Sequence, residues 1–259
     1  MRTVVSADGT KIAFDQTGQG PAVILVVGAF NDRSTGAPLA RSLESQLTVF
    51  NYDRRGRGES GDTQPYAVER EIEDLDALIR EAGGTAHVFG YSSGGTLALE
   101  AAARGLNMTK LAVYEAPFMV GNDGPRPPHD MAGQLAKLVA SGRRGDAVEL
   151  FQTRLVGIPE HVVAQFRHAP FRPALEATAH TLVYEASIVG SLELPTAQLR
   201  SITTPTLAVY GGESPVFMGN GAKALAKAIP GGHVRVLDGQ SHDIVPAALA
   251  PVLLEFFGA

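Results

Sequence analysis

Ser92 stands in Gly90-Tyr91-Ser92-Ser93-Gly94, between an apolar run and a helical one. Thr85–Gly90 (TAHVFG) reads as a short buried strand, and Gly94–Gly105 (GGTLALEAAARG) as a small-residue helix. A strand that turns at once into a helix needs small residues at the bend. The serine at its tip is then pushed out of the backbone, beside the free N–H groups of a helix N-terminus. Only one register works, because Ser93 would need glycine at position 91, which is Tyr91. Such a turn constrains the fold strongly: its strand has to lie inside a sheet whose carboxyl edge is open to a ligand.

The rest of the chain alternates in the same way. Thr3–Ser6 and Lys11–Asp15 form two strands joined by a turn at Asp8-Gly9. Ala22–Val27 (AVILVV) is apolar throughout, as a parallel strand covered on both faces should be. Leu47–Asp53, Lys110–Ala116, Thr206–Tyr210 and Val234–Leu237 are further strands. Helices are expected over Gly36–Ser45, Ala67–Ala82, Ala222–Ile229 and Pro246–Phe257. In Ala67–Ala82, apolar Ile72, Leu75, Leu78 and Ile79 recur at helical spacing and Gly83-Gly84 follows. The order predicts an α/β fold, a mostly parallel central sheet with helices on both faces.

Between Pro117 and Thr204 the alternation stops. Gly121–Pro128 is loop, and Met131–Ser141, Asp146–Val156, Glu160–His168 and Ala174–Ser191 read as helices. The expected organisation is a core of residues 1–118 and 204–259, with a helical cap insertion, 119–203, over the sheet's carboxyl edge. No internal repeat is visible.

Four segments together resemble the α/β-hydrolase family over nearly the whole chain: Val27-Gly28-Ala29-Phe30 after the apolar strand, Asn51-Tyr52-Asp53-Arg54-Arg55-Gly56-Arg57-Gly58-Glu59-Ser60, the turn at Ser92, and Gly239-Gln240-Ser241-His242. The resemblance implies a serine nucleophile, Ser92, and a C-terminal histidine base, His242. A serine hydroxyl is inert near neutrality until a base takes its proton, and imidazole has the right pKa for that. His242 Nε2 is expected within loose hydrogen-bond reach of Ser92 Oγ. Of the other histidines, His87 lies inside a strand and reads as structural, His233 begins one, and His129, His161, His168 and His180 fall in the insertion.

The third member departs from the family. Where the family places its acid, in Val209-Tyr210-Gly211-Gly212-Glu213-Ser214-Pro215, this chain has Ser214. Glu213 could serve if the loop shifts by one residue. Glu115, at the end of the strand adjoining the Ser92 strand, could supply the acid from another direction and is the favoured candidate; its competing role is an ion pair with Arg54 or Arg126. A third possibility is no acid at all, with Ser214 or water orienting the ring. Asp238, Asp243 and Asp123 are weaker candidates. By resemblance, the oxyanion hole uses the backbone N–H groups of Ser93 and Ala29, with Phe30 as the neighbour of Ala29 to check.

Other chemistries find little footing. Gly56-Arg57-Gly58-Glu59-Ser60-Gly61 matches the dinucleotide fingerprint, but Asp62-Thr63-Gln64-Pro65 follows where a helix should open. Arg54, Arg55 and Arg57 are expected in local ion pairs instead. The chain has no cysteine, which excludes thiolate catalysis and disulfides. No metal-ligand spacing occurs, and no metal or organic cofactor is implied. A net charge of −5 gives no nucleic-acid footprint, and no apolar run is long enough to span a membrane. With no secretory signal in MRTVVSADGTKIAF, cytoplasmic location is the default. The expected partner is a small, mostly apolar molecule: an ester, lactone or thioester. The alternative is a hydrolase scaffold turned to cyclase-, lyase- or haloperoxidase-like chemistry or to ligand binding, with Ser214 as its motive.

Overall fold

The computed structural model describes residues 1–124 and 126–258, so Pro125, within the expected 121–128 loop, and Ala259, in the expected core, lie outside the described residues. Eight strands form one sheet in the order β1-β2-β4-β3-β5-β6-β7-β8. They are β1 (Arg2–Val5), β2 (Lys11–Gly18), β3 (Ala22–Val26), β4 (Thr48–Tyr52), β5 (Ala86–Tyr91), β6 (Met108–Tyr114), β7 (Thr206–Gly211) and β8 (His233–Leu237). β1–β2 and β2–β4 pair antiparallel, and every later pairing is parallel. Gly9, with φ +85°, lets the β1–β2 turn close through a Ser6 N–H bond to Thr10 O of 2.8 Å.

The apolar strands bury both faces, and their side chains divide with the period of the pleat. Ile24, Val26, Val88, Leu111 and Val113 face one layer, which holds α2 (Val68–Glu81), α3 (Ser93–Ala103) and α10 (Val216–Ala228). Val23, Leu25, Phe89, Ala112 and Val209 face the other, which holds α1 (Arg33–Leu43) and α11 (Pro246–Gly258).

Between β6 and β7, the α-helices among the described residues are α4 (Met131–Ala140), α5 (Arg144–Arg154), α6 (Glu160–Gln165), α7 (Arg172–Ala177), α8 (Leu182–Val189) and α9 (Thr196–Leu199). Met131, Leu135, Val148, Phe151, Leu182 and Ala186 form a small core of their own, against which Ala29 and Phe30 pack. Its last third joins the main core instead, through Ile188, Val189, Leu192 and Leu199.

Element ends differ from the sequence reading by up to three residues at several places, and by more at two. The expected helix 174–191 is broken into α7, a short 3-10 turn (Ala179–Thr181) and α8. The Thr178 hydroxyl donates to Leu175 O (3.2 Å) and the Thr181 hydroxyl to Thr178 O (2.8 Å), local bonds that compete with helix continuity. α10 begins at Val216 rather than Ala222, because Gly219 and Gly221, poor helix formers, are there to pack. A Cβ on Gly221 would lie 2.3 Å from Phe118 O.

Candidate active site

The parallel strands β3, β5, β6, β7 and β8 are adjacent in the sheet. Ala29, Ser92, Glu115, Ser214 and His242 follow their carboxyl ends in turn; Ala29, Ser92 and His242 line one cavity, and Glu115 touches His242.

Ser92 has φ +55° and ψ −127°. Its N–H donates to Tyr114 O (2.9 Å), which fastens the bend to β6. The flanking glycines are needed for contact: a Cβ on Gly90 would lie 2.6 Å from Gly95 Cα, and one on Gly94 2.2 Å from Val26 O. The helix α3 thus starts flush against the sheet, with Ser93 as its first residue, whose N–H has no intrahelical acceptor.

Glu115 also has positive φ, +56°, and its side chain is fully buried. Oε1 accepts from Gly211 N–H at 2.7 Å, and Oε2 lies 3.2 Å from His242 Nδ1. The structure therefore brings Glu115 to the imidazole. The competing ion pairs do not form: Arg54 pairs with Glu71 and Glu185, and Arg126 donates to the backbone oxygens of Met119, Ser191 and Leu192. The loop carrying His242 is held by the Tyr114 hydroxyl, which donates to Ser241 O, and by Glu213 N–H, which donates to Gln240 O (2.8 Å). That backbone bond is the role of Glu213 here, for its side chain makes no ion pair or hydrogen bond with the ring. The Ser214 hydroxyl is buried and unpartnered. Asp123 is engaged elsewhere, by Asn220 and Val120.

His242 is 41% exposed at its side chain, and its ring centre lies 5.1 Å from that of Tyr91. Ser92 and His242 line one cavity of about 220 Å³, with Ala29, Phe30 and Ser93 in the same wall. No Ser92–His242 hydrogen bond forms among the described residues; both side chains line this cavity. Neither Ala29 N–H nor Phe30 N–H is spent on an internal hydrogen bond among the described residues. Their loop is fixed from its carbonyl side: Asn31 Nδ2 donates to Ala29 O (2.7 Å) and Arg54 Nη1 to Val27 O (3.1 Å).

Among the described residues, the non-glycine residues with positive φ are Phe30, Ser92, Glu115 and Leu192. Phe30, Ser92 and Leu192 line the cavity and Glu115 touches His242, so the strained backbone of this protein is gathered at one place.

The arginine-rich turn after β4 is structural. Arg55 is buried between Asp74 (2.7 Å) and Asp8 (2.9 Å), and no helix opens after it. Burial alone would push the Asp8 carboxyl up, but Arg55 and Thr10 outweigh it and hold it down at about 2. Arg54 reaches beyond local partners, to Glu185 on α8, which Arg57 also contacts. His87 packs its ring on Phe257 at 4.8 Å, and Thr109 Oγ1 lies 2.7 Å from its Nδ1. Burial, with Lys110 nearby, holds that imidazole below its ordinary value.

A family model described as the alpha/beta hydrolase family matches residues 23–252. The chain belongs to that family. A crystal structure of an alpha/beta hydrolase from Sphaerobacter thermophilus shares 53% identity and a TM-score of 0.92, covering 99% of this chain and 100% of its own. The pimeloyl-[acyl-carrier protein] methyl ester esterase of Xanthomonas campestris is 27% identical over 88% of this chain and 90% of its own. The hydrolase YraK of Bacillus subtilis is 29% identical over 116 residues, a match that spans 43% of either chain.

Sequence reasoning missed much of the cavity wall. Asn31, Phe151, Gln152, Leu155, Phe217 and Met218 line it, and nothing in their local sequence separates them from ordinary helix or loop residues.

Proposed function

We propose that this hydrolase cleaves a carboxylic ester, lactone or thioester of a small, mostly apolar molecule through an acyl-enzyme on Ser92. The single observation that carries the reading is the contact between Glu115 and His242 Nδ1 on the cavity that Ser92 lines. An esterase among the relatives supports the ester class.

In this reading each residue has a part. Glu115, buried and already fixed by Gly211 N–H, holds the proton on His242 Nδ1 and leaves Nε2 free as the base. As substrate fills the cavity, Nε2 takes the Ser92 proton and Oγ attacks the carbonyl carbon. The carbonyl oxygen becomes an oxyanion between the N–H groups of Ala29 and Ser93. Collapse expels the alcohol or thiol, which receives its proton from Nε2. Water, deprotonated by the same nitrogen, then releases the acid and restores Ser92. The helices of residues 119–203 act as a cap, their apolar wall excluding bulk water from the acyl group. The repurposed scaffold loses its motive, since the imidazole has a carboxylate partner without position 214.

A fluorophosphonate probe should label the native protein at Ser92, and Ser92→Ala should lose both labelling and turnover of p-nitrophenyl esters. Full activity in that variant would end the reading.

A further inference from the structure

A second cavity, of about 190 Å³, lies against the one of about 220 Å³ that Ser92 and His242 line. Three segments pass from one to the other within a few residues. At the start of α3, Ser92 and Ser93 line the catalytic cavity, and Thr96, a turn further on, lines the second. After β6, Pro117 lines the first and Phe118 the second; after α8, Leu192 lines the first and Ser191 the second. Val189, the last residue of α8, is the one described residue found in both walls. The two cavities thus run end to end, with one layer of side chains between them. That layer is firmly built. Leu192 N–H donates to Val189 O (2.9 Å), and Leu192 O accepts from Met119 N–H (2.8 Å) and from Arg126 Nη1 (3.1 Å). Positive φ at Gly190 (+52°) and Leu192 (+61°) lets the chain double back directly behind Val189. A β-branched valine on a helix keeps essentially one rotamer, so its methyls do not swing aside. Beyond it the second cavity offers buried Leu99, Phe118, Ile188 and Leu199, a wall that an alkyl chain can use.

We propose that Val189 is a specificity-determining residue: its side chain closes the end of the catalytic cavity, limits the substrate to a short chain on that side, and keeps the second cavity out of reach. This rests on the ester-hydrolase reading of the same cavity. Pockets for drug-sized ligands run to about 300–1,000 Å³, and the catalytic cavity alone is smaller than that. A methylene that finds apolar surface strengthens binding about fourfold. One that meets Val189 gains nothing, because forcing atoms into a packed wall is itself unfavourable. The substrate class narrows from apolar esters to short-chain esters, thioesters or small lactones. The limited chain is the acyl or the alkoxy part of the ester, and two ligand series tell these apart.

The test uses Ser92→Ala protein, so that esters are bound and not consumed. Dissociation constants are measured by calorimetry for methyl esters from butanoate to nonanoate and for acetates of the alcohols from butanol to nonanol. With Val189 present, affinity in one series should rise about fourfold per methylene and then stop. With Val189→Ala added, the same series should go on rising for roughly three further methylenes, more than the two carbons the substitution removes, so that its longest member gains at least about tenfold over its shortest. Val189→Ile, which lengthens the barrier and keeps the branch, should move the stop to a shorter chain and serves alone if Val189→Ala fails to fold. A stop that neither substitution moves, or a gain in Val189→Ala confined to two methylenes, would overturn the proposal. Failure of the hydrolase reading is seen separately, as absent fluorophosphonate labelling of native protein, and does not affect these binding ratios.

Discussion

Glu115 and Glu185 are both buried to the point of losing water, yet they keep opposite company. Glu185, on α8, meets Arg54 and Arg57, and Arg54 is also clasped by Glu71. Guanidinium does not give up its proton, so this cluster carries fixed, mutually cancelling charges. Burial would push the Glu71 carboxyl up, but Arg54, Arg57 and the Tyr66 hydroxyl hold it below its ordinary value. Glu115 instead meets one half-exposed imidazole and one backbone N–H. That imidazole has two ring nitrogens, so Nδ1 can be engaged while Nε2 stays open to the cavity side. The same residue type is thus a rivet between α8 and the turn after β4 in one place and, on the proposed mechanism, a steering group for a base in the other. The partner, rather than the depth of burial, makes the difference.

The largest expected effect is at Glu115. Glu115→Gln should lower kcat on an activated ester by up to about 10⁴-fold, as loss of the orienting carboxylate does in serine triads. Its melting temperature should change little, because glutamine keeps an oxygen for Gly211 N–H. A large stability loss with intact kcat would make Glu115 another rivet.

Glu185→Leu should show the reverse pattern. It leaves Arg54 and Arg57 buried with too little negative charge, which costs about 3–5 kcal/mol of unfolding free energy. Denaturant titration measures this, and kcat well below the melting temperature should stay within about threefold of native.

Acid sharpens the same contrast. A carboxylate whose folded pKa is depressed contributes stability above its unfolded pKa, and that contribution is lost as pH falls through the folded value. For Glu71 the loss should begin below about pH 4.3, the ordinary glutamate range. Thermal melts across the acid limb should show a steeper fall in native protein than in Glu71→Gln.

The smallest effect belongs to Ser214→Asp, which restores the family's usual acid position. With Glu115 already on the ring, kcat should move by no more than about twofold. A large gain would mean that the native imidazole lacks a working acid.

Much of this was legible in the sequence, and the reasons are physical. AVILVV and the Ser92 turn carry strong signals because a doubly covered strand has to be apolar and a sharp bend has to be small. Glu115 was reachable by topology, since the carboxyl ends of neighbouring parallel strands open on one crevice. The broken helix at Thr178 was not, because isolated threonines are tolerated in helices until their hydroxyls find local acceptors. The start of α10 was hidden by glycines whose purpose is close packing on Phe118 and Tyr210. The reach of Arg54 to Glu185 was hidden by its distance along the chain. Gln152 has no sequence signal at all: a glutamine in a helix is ordinarily exposed, and only tertiary packing buries this one.

On the proposed mechanism, His242 Nδ1–H is held by Glu115 and not by a group at position 214. Proton NMR of the slowly exchanging imidazole N–H tests it directly, on native protein, Glu115→Gln and Ser214→Ala. Native protein should show a far-downfield Nδ1–H resonance, retained in Ser214→Ala and shifted upfield or lost in Glu115→Gln. A resonance untouched by Glu115→Gln, or abolished by Ser214→Ala, would contradict it.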